Sequence, residues 1–223
     1  MFLAARLFRY NGLNATESQS RENEANERAW RTQEPITVIT TPRLILREWR
    51  DGDCDAFAAM FGEPEVMEFF LPVKDRAEID GFVARIKQHF AAYGFGWWVA
   101  ELPGVAPFIG FVGLARVGFE AHFTPAVEIG WRLARRYWGQ GYATEGAKAA
   151  LAAGFTQLGL GEIVSFAVPA NVRSWRVMER IGMTHDPADD FDHPRLPEGH
   201  RLRRHVLYRI SRTRWEETRR ELP

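Results

Sequence analysis

The sequence predicts an α/β (α+β) fold: a mixed, mostly antiparallel twisted sheet with one parallel strand pair and helices on both faces. Three observations predict it. Short alternating apolar runs recur along the chain between helix-period segments. One alanine-rich helical run lies between two strand-like runs, Ala126 to Leu133 and Ile163 to Val168, long enough for a crossover between parallel neighbours. The other neighbouring strands have short links and pair antiparallel.

The elements follow in order. Asn11 to Glu34 is polar and nearly free of apolar residues, so it cannot bury enough surface to offset its ordering entropy. Residues 1–34 are therefore expected to be a mobile extension, with a transient helix around Arg21 to Trp30. The folded domain is expected over 35–212. Ile36–Ile39 and Leu44–Arg47 read as strands, and Asp53 as the cap of a helix over Asp55 to Phe61. Asp75 to Tyr93 carries Ile79, Phe82, Val83, Ile86 and Phe90 at three- and four-residue spacing and is stopped by Gly94. Trp97–Leu102 and Phe108–Val117 read as strands about Pro103-Gly104. Tyr142–Leu158 is the alanine-rich helix, and Asn171–Ile181 a further one ended by Gly182. His205–Ile210 is the last strand, and 213–223 a short charged helix or tail.

Composition narrows the function. Lys and Arg total 29 and Asp and Glu total 29, so no net field draws the chain to nucleic acid or membrane. The one cysteine, Cys54, excludes an internal disulfide and a cysteine-based zinc site, which fits a reduced, cytoplasmic setting. No apolar run approaches the ~20 residues that span a bilayer. Met1 to Arg9 is apolar but broken by arginines, unlike a secretory signal; an interfacial amphipathic segment is its minor reading.

The chemistry-bearing stretch is Arg136-Tyr137-Trp138-Gly139-Gln140-Gly141-Tyr142-Ala143-Thr144-Glu145. Its glycines let the backbone approach a ligand closely, and the helix they open offers unpaired N–H groups to an anion. The phosphate-loop triplet Gly-Lys-Ser/Thr is absent here, and Thr144 stands where a dinucleotide fingerprint needs its third glycine.

The context raises this two-glycine turn. Arg136-x-x-Gly139-x-Gly141 resembles the acetyl-CoA signature of the GNAT superfamily. Asn171-Val172-Arg173-Ser174-Trp175-Arg176-Val177-Met178-Glu179-Arg180-Ile181-Gly182-Met183 resembles a stretch of the RimJ/RimL-type acetyltransferases, and so does Thr41-Pro42-Arg43-Leu44-Ile45-Leu46-Arg47. The likeness spans about Thr37 to Ser211.

The resemblance implies a GNAT-like sheet that takes acetyl-CoA as acyl donor. It places the pyrophosphate on backbone N–H groups of Arg136, Gly139, Gln140, Gly141, Tyr142 and Ala143, with Thr144 near the helix start. It runs pantetheine beside Trp131, Arg132 and Leu133. It lets Asn171 both cap its helix and reach the cofactor. Arg176 and Arg180 stand four apart and either meet the 3′-phosphate or form a solvated face. Glu128 is implied as general base, against the alternative of a surface carboxylate. Strand alternation puts it with Gly130 and Arg132, opposite Val127, Ile129 and Trp131.

Met178 occupies the position where many relatives carry a proton-donating tyrosine. Ser174 is the remaining hydroxyl, a hydrogen-bond donor or water relay, or simply a helix-start residue. Asp189, Asp190 and Asp192 make an acidic loop, with His193, His200 and His205 nearby. A metal site is not expected, because the histidines lack helical ligand spacing; the acids are expected to attract a cationic amine. One of Trp97 and Trp98 is expected in the core and the other at the acceptor.

The implied reaction is acetyl transfer by direct attack of a primary amine, with a protein N-terminus the leading acceptor. An antibiotic or polyamine, and a non-catalytic acyl-CoA-binding module, are the alternatives. Members of the family are often dimers, and a homodimer stays open here.

Overall fold

The computed structural model describes residues 34–73 and 75–220. The extension expected over 1–34 lies, apart from Glu34, outside them, as does the chain after Arg220. The elements are β1 (Val38–Thr40), β2 (Ile45–Arg47), α1 (Asp53–Phe61), α2 (Pro64–Met67), α3 (Arg76–Tyr93), β3 (Trp97–Leu102), β4 (Ala106–Arg116), β5 (Val127–Leu133), α4 (Tyr142–Thr156), β6 (Glu162–Ala167), α5 (Val172–Arg180), β7 (Thr184–His185), β8 (Phe191–Asp192), β9 (Arg204–Ser211) and α6 (Arg212–Arg220).

The strands order as β1-β2-β3-β4-β5-β6-β9-β7, with β8 pairing β9 off this path. Among the described strands β5 and β6 run parallel, and every other pairing is antiparallel. The crossover between them is α4, as the length of that connection requires.

Helices cover both faces. On one, Phe57 of α1 and Phe82 of α3 pack their rings on Phe111 and Trp97. On the other lies α4, drawn close by small residues: a Cβ on Gly154 would come within 2.7 Å of Ile163, and one on Gly146 within 3.2 Å of Val112. Trp98 is fully buried with its indole donating to Ile36 O at 2.8 Å, so it is the core member of the tryptophan pair. Trp97 stacks on Phe82 at 5.8 Å and lines neither of the two large cavities described below.

Local signals explain the helix ends. Asp75 caps α3 by accepting from Glu78 N at 2.9 Å, and left-handed Gly94 stops it. Asp53 differs from its expected role. Helix α1 begins at Asp53 itself, and the buried carboxylate takes both guanidinium nitrogens of Arg47 at 2.8 and 2.9 Å. Arg47 also reaches Glu101 and Pro107 O, both at 2.7 Å, so its charge is more valuable as a tie between β2, α1 and the sheet than Asp53 is as a cap.

Candidate functional site

The site begins where the sheet opens. Strand β5 pairs with β4 along its whole length, from Val127↔Arg116 to Leu133↔Gly110. Its ladder with β6 holds at one pair, Glu128↔Val164. The buried hydroxyl of Ser165 donates to Ile129 O at 2.9 Å just beyond it. Past that point the β5 edge has no β6 partner, and Trp131, Arg132 and Leu133 run along a cleft of about 850 Å³.

The chain then turns through a single 3-10 turn, Arg135–Tyr137, into two left-handed glycines, Gly139 (φ 73°) and Gly141 (φ 82°). Gly141 is the N-cap of α4 and no side chain caps this helix. The first intrahelical bond is Glu145 N to Gly141 O at 2.9 Å, so the N–H groups of Tyr142, Ala143 and Thr144 precede it. Gly139, Gly141, Tyr142, Ala143 and Thr144 all line the cleft. The Arg136 and Gln140 side chains stand outside its lining: Arg136 lies over the Tyr137 ring at 4.8 Å, and Gln140 donates to Arg136 O at 3.0 Å.

A strap that sequence reasoning missed fixes this turn. Glu145 accepts from Thr41 Oγ1 at 2.7 Å, Arg43 N at 2.9 Å and Arg43 Nε at 2.6 Å, and Arg43 also donates to Gln140 O at 2.9 Å. Burial raises the Glu145 carboxyl, and these donors together outweigh it and leave its pKa lowered. Its signal in the sequence is the Thr41-Pro42-Arg43 opening.

Helix α5 makes the opposite wall. Asn171 Oδ1 accepts from Ser174 N at 3.3 Å and caps it. Asn171, Ser174, Arg176, Val177 and Arg180 face the cleft, with Lys148 of α4. Both arginines of the i, i+4 pair thus border it. Met178, by contrast, is 1 % exposed and belongs to the core.

These features fit acetyl-CoA. Uncapped helix N–H groups and surrounding cations suit its phosphates, and the unpaired strand edge beside Trp131, Leu133 and Val177 suits its pantetheine arm. What the bound molecule supplies is an activated thioester.

Glu128 stands at the fork between β5 and β6, on the face shared by Gly130 and Arg132. It is half-buried and has no hydrogen-bond or ion-pair partner among the described residues. Burial pushes its carboxyl up to about 8. It lines neither the cleft nor the second cavity.

That second cavity, about 500 Å³, shares Phe69, Phe70 and Arg132 with the cleft. Arg132 lies among Phe70, Phe61 and Phe111, 3.3, 4.7 and 5.7 Å from the ring centres, with Met67 Sδ at 3.9 Å. Its Nε is buried without a partner, and desolvation pulls its pKa down to about 9. Ring contacts of this kind contribute about 0.5–2 kcal/mol, against an effective several kcal/mol for taking the ion out of water.

The acidic loop does not supply the cavity with negative charge. Asp189 pairs with Arg209 at 2.6 Å, Asp190 with His185 at 2.7 Å, and Asp192 with Arg203 at 3.2 Å. From that region the cavity receives His193 and His205 instead, both held below the usual histidine range chiefly by burial. Among the described residues no cluster of His, Cys, Asp and Glu is arranged to hold a metal, and no helix is long and apolar enough to cross a membrane.

A profile of the acetyltransferase (GNAT) domain matches residues 43–184. The chain belongs to the GNAT acetyltransferase family. Relatives are similar across most of the domain. YkkB of Bacillus subtilis is 34 % identical over 148 residues, covering 66 % of this chain and 85 % of that protein. The FsC-acetyl coenzyme A-N(2)-transacetylase of Aspergillus fumigatus is 32 % identical over 164 residues, 69 % of this chain and 67 % of that one. The solved structure of a GNAT acetyltransferase from Bacillus anthracis superimposes with a TM-score of 0.64 at 26 % identity, over 79 % of this chain and 99 % of that one. The chain is thus an acetyl-CoA-dependent acyltransferase with the mixed GNAT sheet.

Proposed function

We propose that the chain acetylates an α-amine by direct attack, with Glu128 as the proton acceptor. The observation that carries this is the Glu128 carboxylate, alone at the strand fork and raised to about 8. An α-ammonium loses its proton near pH ~8, a lysine ammonium near ~10.4. A base near 8 is matched to the first and underpowered for the second. Glu128, which borders neither cavity, takes the proton from the ammonium through water, and the freed lone pair attacks the acyl carbon. The carbon–sulfur bond breaks, the thiolate departs, readily for a thiol of pKa ~8.5, and the proton left on the attacking nitrogen passes to that thiolate, giving the amide and free coenzyme A thiol. Ser174, on the cleft wall, donates a hydrogen bond there or relays a proton.

The diphosphate rests in this reading on the N–H groups from Gly139 to Thr144, and the 3′-phosphate beside Arg176. Asn171 serves as cap and cofactor contact.

A protein N-terminus, the acceptor that the RimJ/RimL resemblance implies, presents such an amine. A free small-molecule α-amine is a second reading, favoured by the 500 Å³ cavity beyond Arg132 and by a relative whose name specifies an N(2)-transacetylase. A polyamine is disfavoured, since Arg85 and Arg132 line that cavity. The test is a screen of peptides and small amines with acetyl-CoA, scored by the acetyl mass increment. Modification of α-amines over lysine side chains is expected; preference for lysine side chains overturns the assignment.

A further inference from the structure

Two arginines of the 500 Å³ cavity carry buried guanidinium nitrogens that the fold leaves unpartnered. Arg132 stands on the wall it shares with the cleft, and Arg85 of α3 on its other side. The Nε of each is buried with no hydrogen-bond partner, and neither forms an ion pair among the described residues. Desolvation pulls both guanidinium groups down, with Glu78 exerting only a countering field on Arg85. Aromatic rings, those around Arg132 and Phe82 at 5.8 Å from Arg85, offset part of that burial and give no hydrogen-bond acceptor. Two carboxylates also line the cavity, and Asp75 is engaged as the cap of α3. The rest of the lining is largely apolar and aromatic.

We propose that the acetyl acceptor itself carries a carboxylate, received by Arg132 with Arg85 behind it, and an apolar body seated against Phe69, Phe70 and Phe82. This rests on the α-amine reading above and names its substrate class: an amine joined to a carboxylate and an apolar group. A free apolar amino acid has that chemistry, and so has a peptide beginning with an acidic residue. A carboxylate accepts from a guanidinium in a planar, two-point geometry, and both arginines line this cavity. Arg132 borders both spaces, so an anion bound there keeps its neighbouring amine close to the cleft.

The experiment uses the full chain, acetyl-CoA and thiol release, with substrates in matched pairs. One arm compares leucine and phenylalanine with their amides. The other compares amidated peptides beginning with Asp or Glu with those beginning with Asn or Gln. The carboxylate member is expected to exceed its neutral partner at least 10-fold in kcat/KM in one arm, which identifies the source. Arg132→Gln and Arg85→Gln should each collapse that ratio, a charge-assisted hydrogen bond accounting for roughly 10- to 100-fold. Acetyl-CoA affinity by calorimetry should stay unchanged in Arg85→Gln, which does not border the cleft, and this also verifies its folding. Equal rates for neutral and anionic partners, or ratios that survive both substitutions, overturn the inference. If no amine releases thiol while acetyl-CoA binds, the acceptor reading itself fails. The carboxylate site is then decided by calorimetric binding of 3-phenylpropanoate to the acetyl-CoA complex. Binding lost in Arg132→Gln supports the site, and no binding to the wild type overturns it.

Discussion

Replacing Glu128 by Gln keeps the shape of the side chain and removes a carboxylate that burial holds at a pKa of about 8. Two consequences separate a base from a surface carboxylate. The first is kinetic. General bases contribute about 10²- to 10⁴-fold, so kcat/KM should fall by that factor and lose its rise through pH 8. The second is thermodynamic. The folded state holds this proton more tightly than the unfolded state, so folding stability falls as pH rises from the unfolded value toward 8, and the cost is complete above it. With folded and unfolded values of about 8 and 4.5, the wild type should lose about 1.4 kcal/mol between pH 7 and pH 9 from this group. In the Gln variant this contribution is absent. The window avoids His89 and His193, both lowered to about 4, whose stability contribution is present above the unfolded value and lost as pH falls through the folded one. Urea denaturation of both proteins at pH 7 and 9 measures the difference. Parallel pH dependences, with kcat/KM unchanged, would refute the base assignment.

Three further substitutions probe other parts of the account. Gly141→Val forces a β-branched residue to φ 82° and brings its Cβ to 3.3 Å from the Arg43 guanidinium; acetyl-CoA affinity by calorimetry should drop at least ~10-fold with circular dichroism intact, a loss of ~1.4 kcal/mol or more. Arg47→Ala strips Asp53 and Glu101 of a buried partner and should cost about 3–5 kcal/mol, a fall of roughly 10 °C in Tm; a shift under 3 °C, well below that scale, contradicts the tie. Ser174→Ala leaves the Asn171 cap acceptor in place and should lower kcat by about 10-fold, the value of one hydrogen bond, with the KM for acetyl-CoA unchanged; an unaltered kcat assigns Ser174 to structure alone.

Period and punctuation made most of the architecture legible. Helix α3 announced itself through Ile79, Val83, Ile86 and Phe90 and its Gly94 stop, because one apolar stripe must face the sheet, while its Asp75 cap appeared only in the structure. The parallel pair followed from the length of the connection carrying α4. Three short elements were not legible: α2, β7 and β8 span two to four residues and lie outside any longer alternating apolar run of the kind that showed β1 and β2. Long-range pairings were hidden for another reason. Arg43 and Glu145 meet across 102 residues, and the rings around Arg132 come from α1, the stretch after α2, and β4. Composition showed the acidic loop but not its partners, so Asp189, Asp190 and Asp192 looked available when Arg209, His185 and Arg203 already engage them. The two-glycine turn could be read directly, since its glycines and the helix they open are adjacent in sequence.

A crystal structure of the chain with coenzyme A tests the central claim most directly. The diphosphate is expected within hydrogen-bond distance of the N–H groups between Gly139 and Thr144, with the thiol end beside the unpaired edge of β5. A diphosphate bound elsewhere, or a thiol remote from the fork at Glu128, contradicts it.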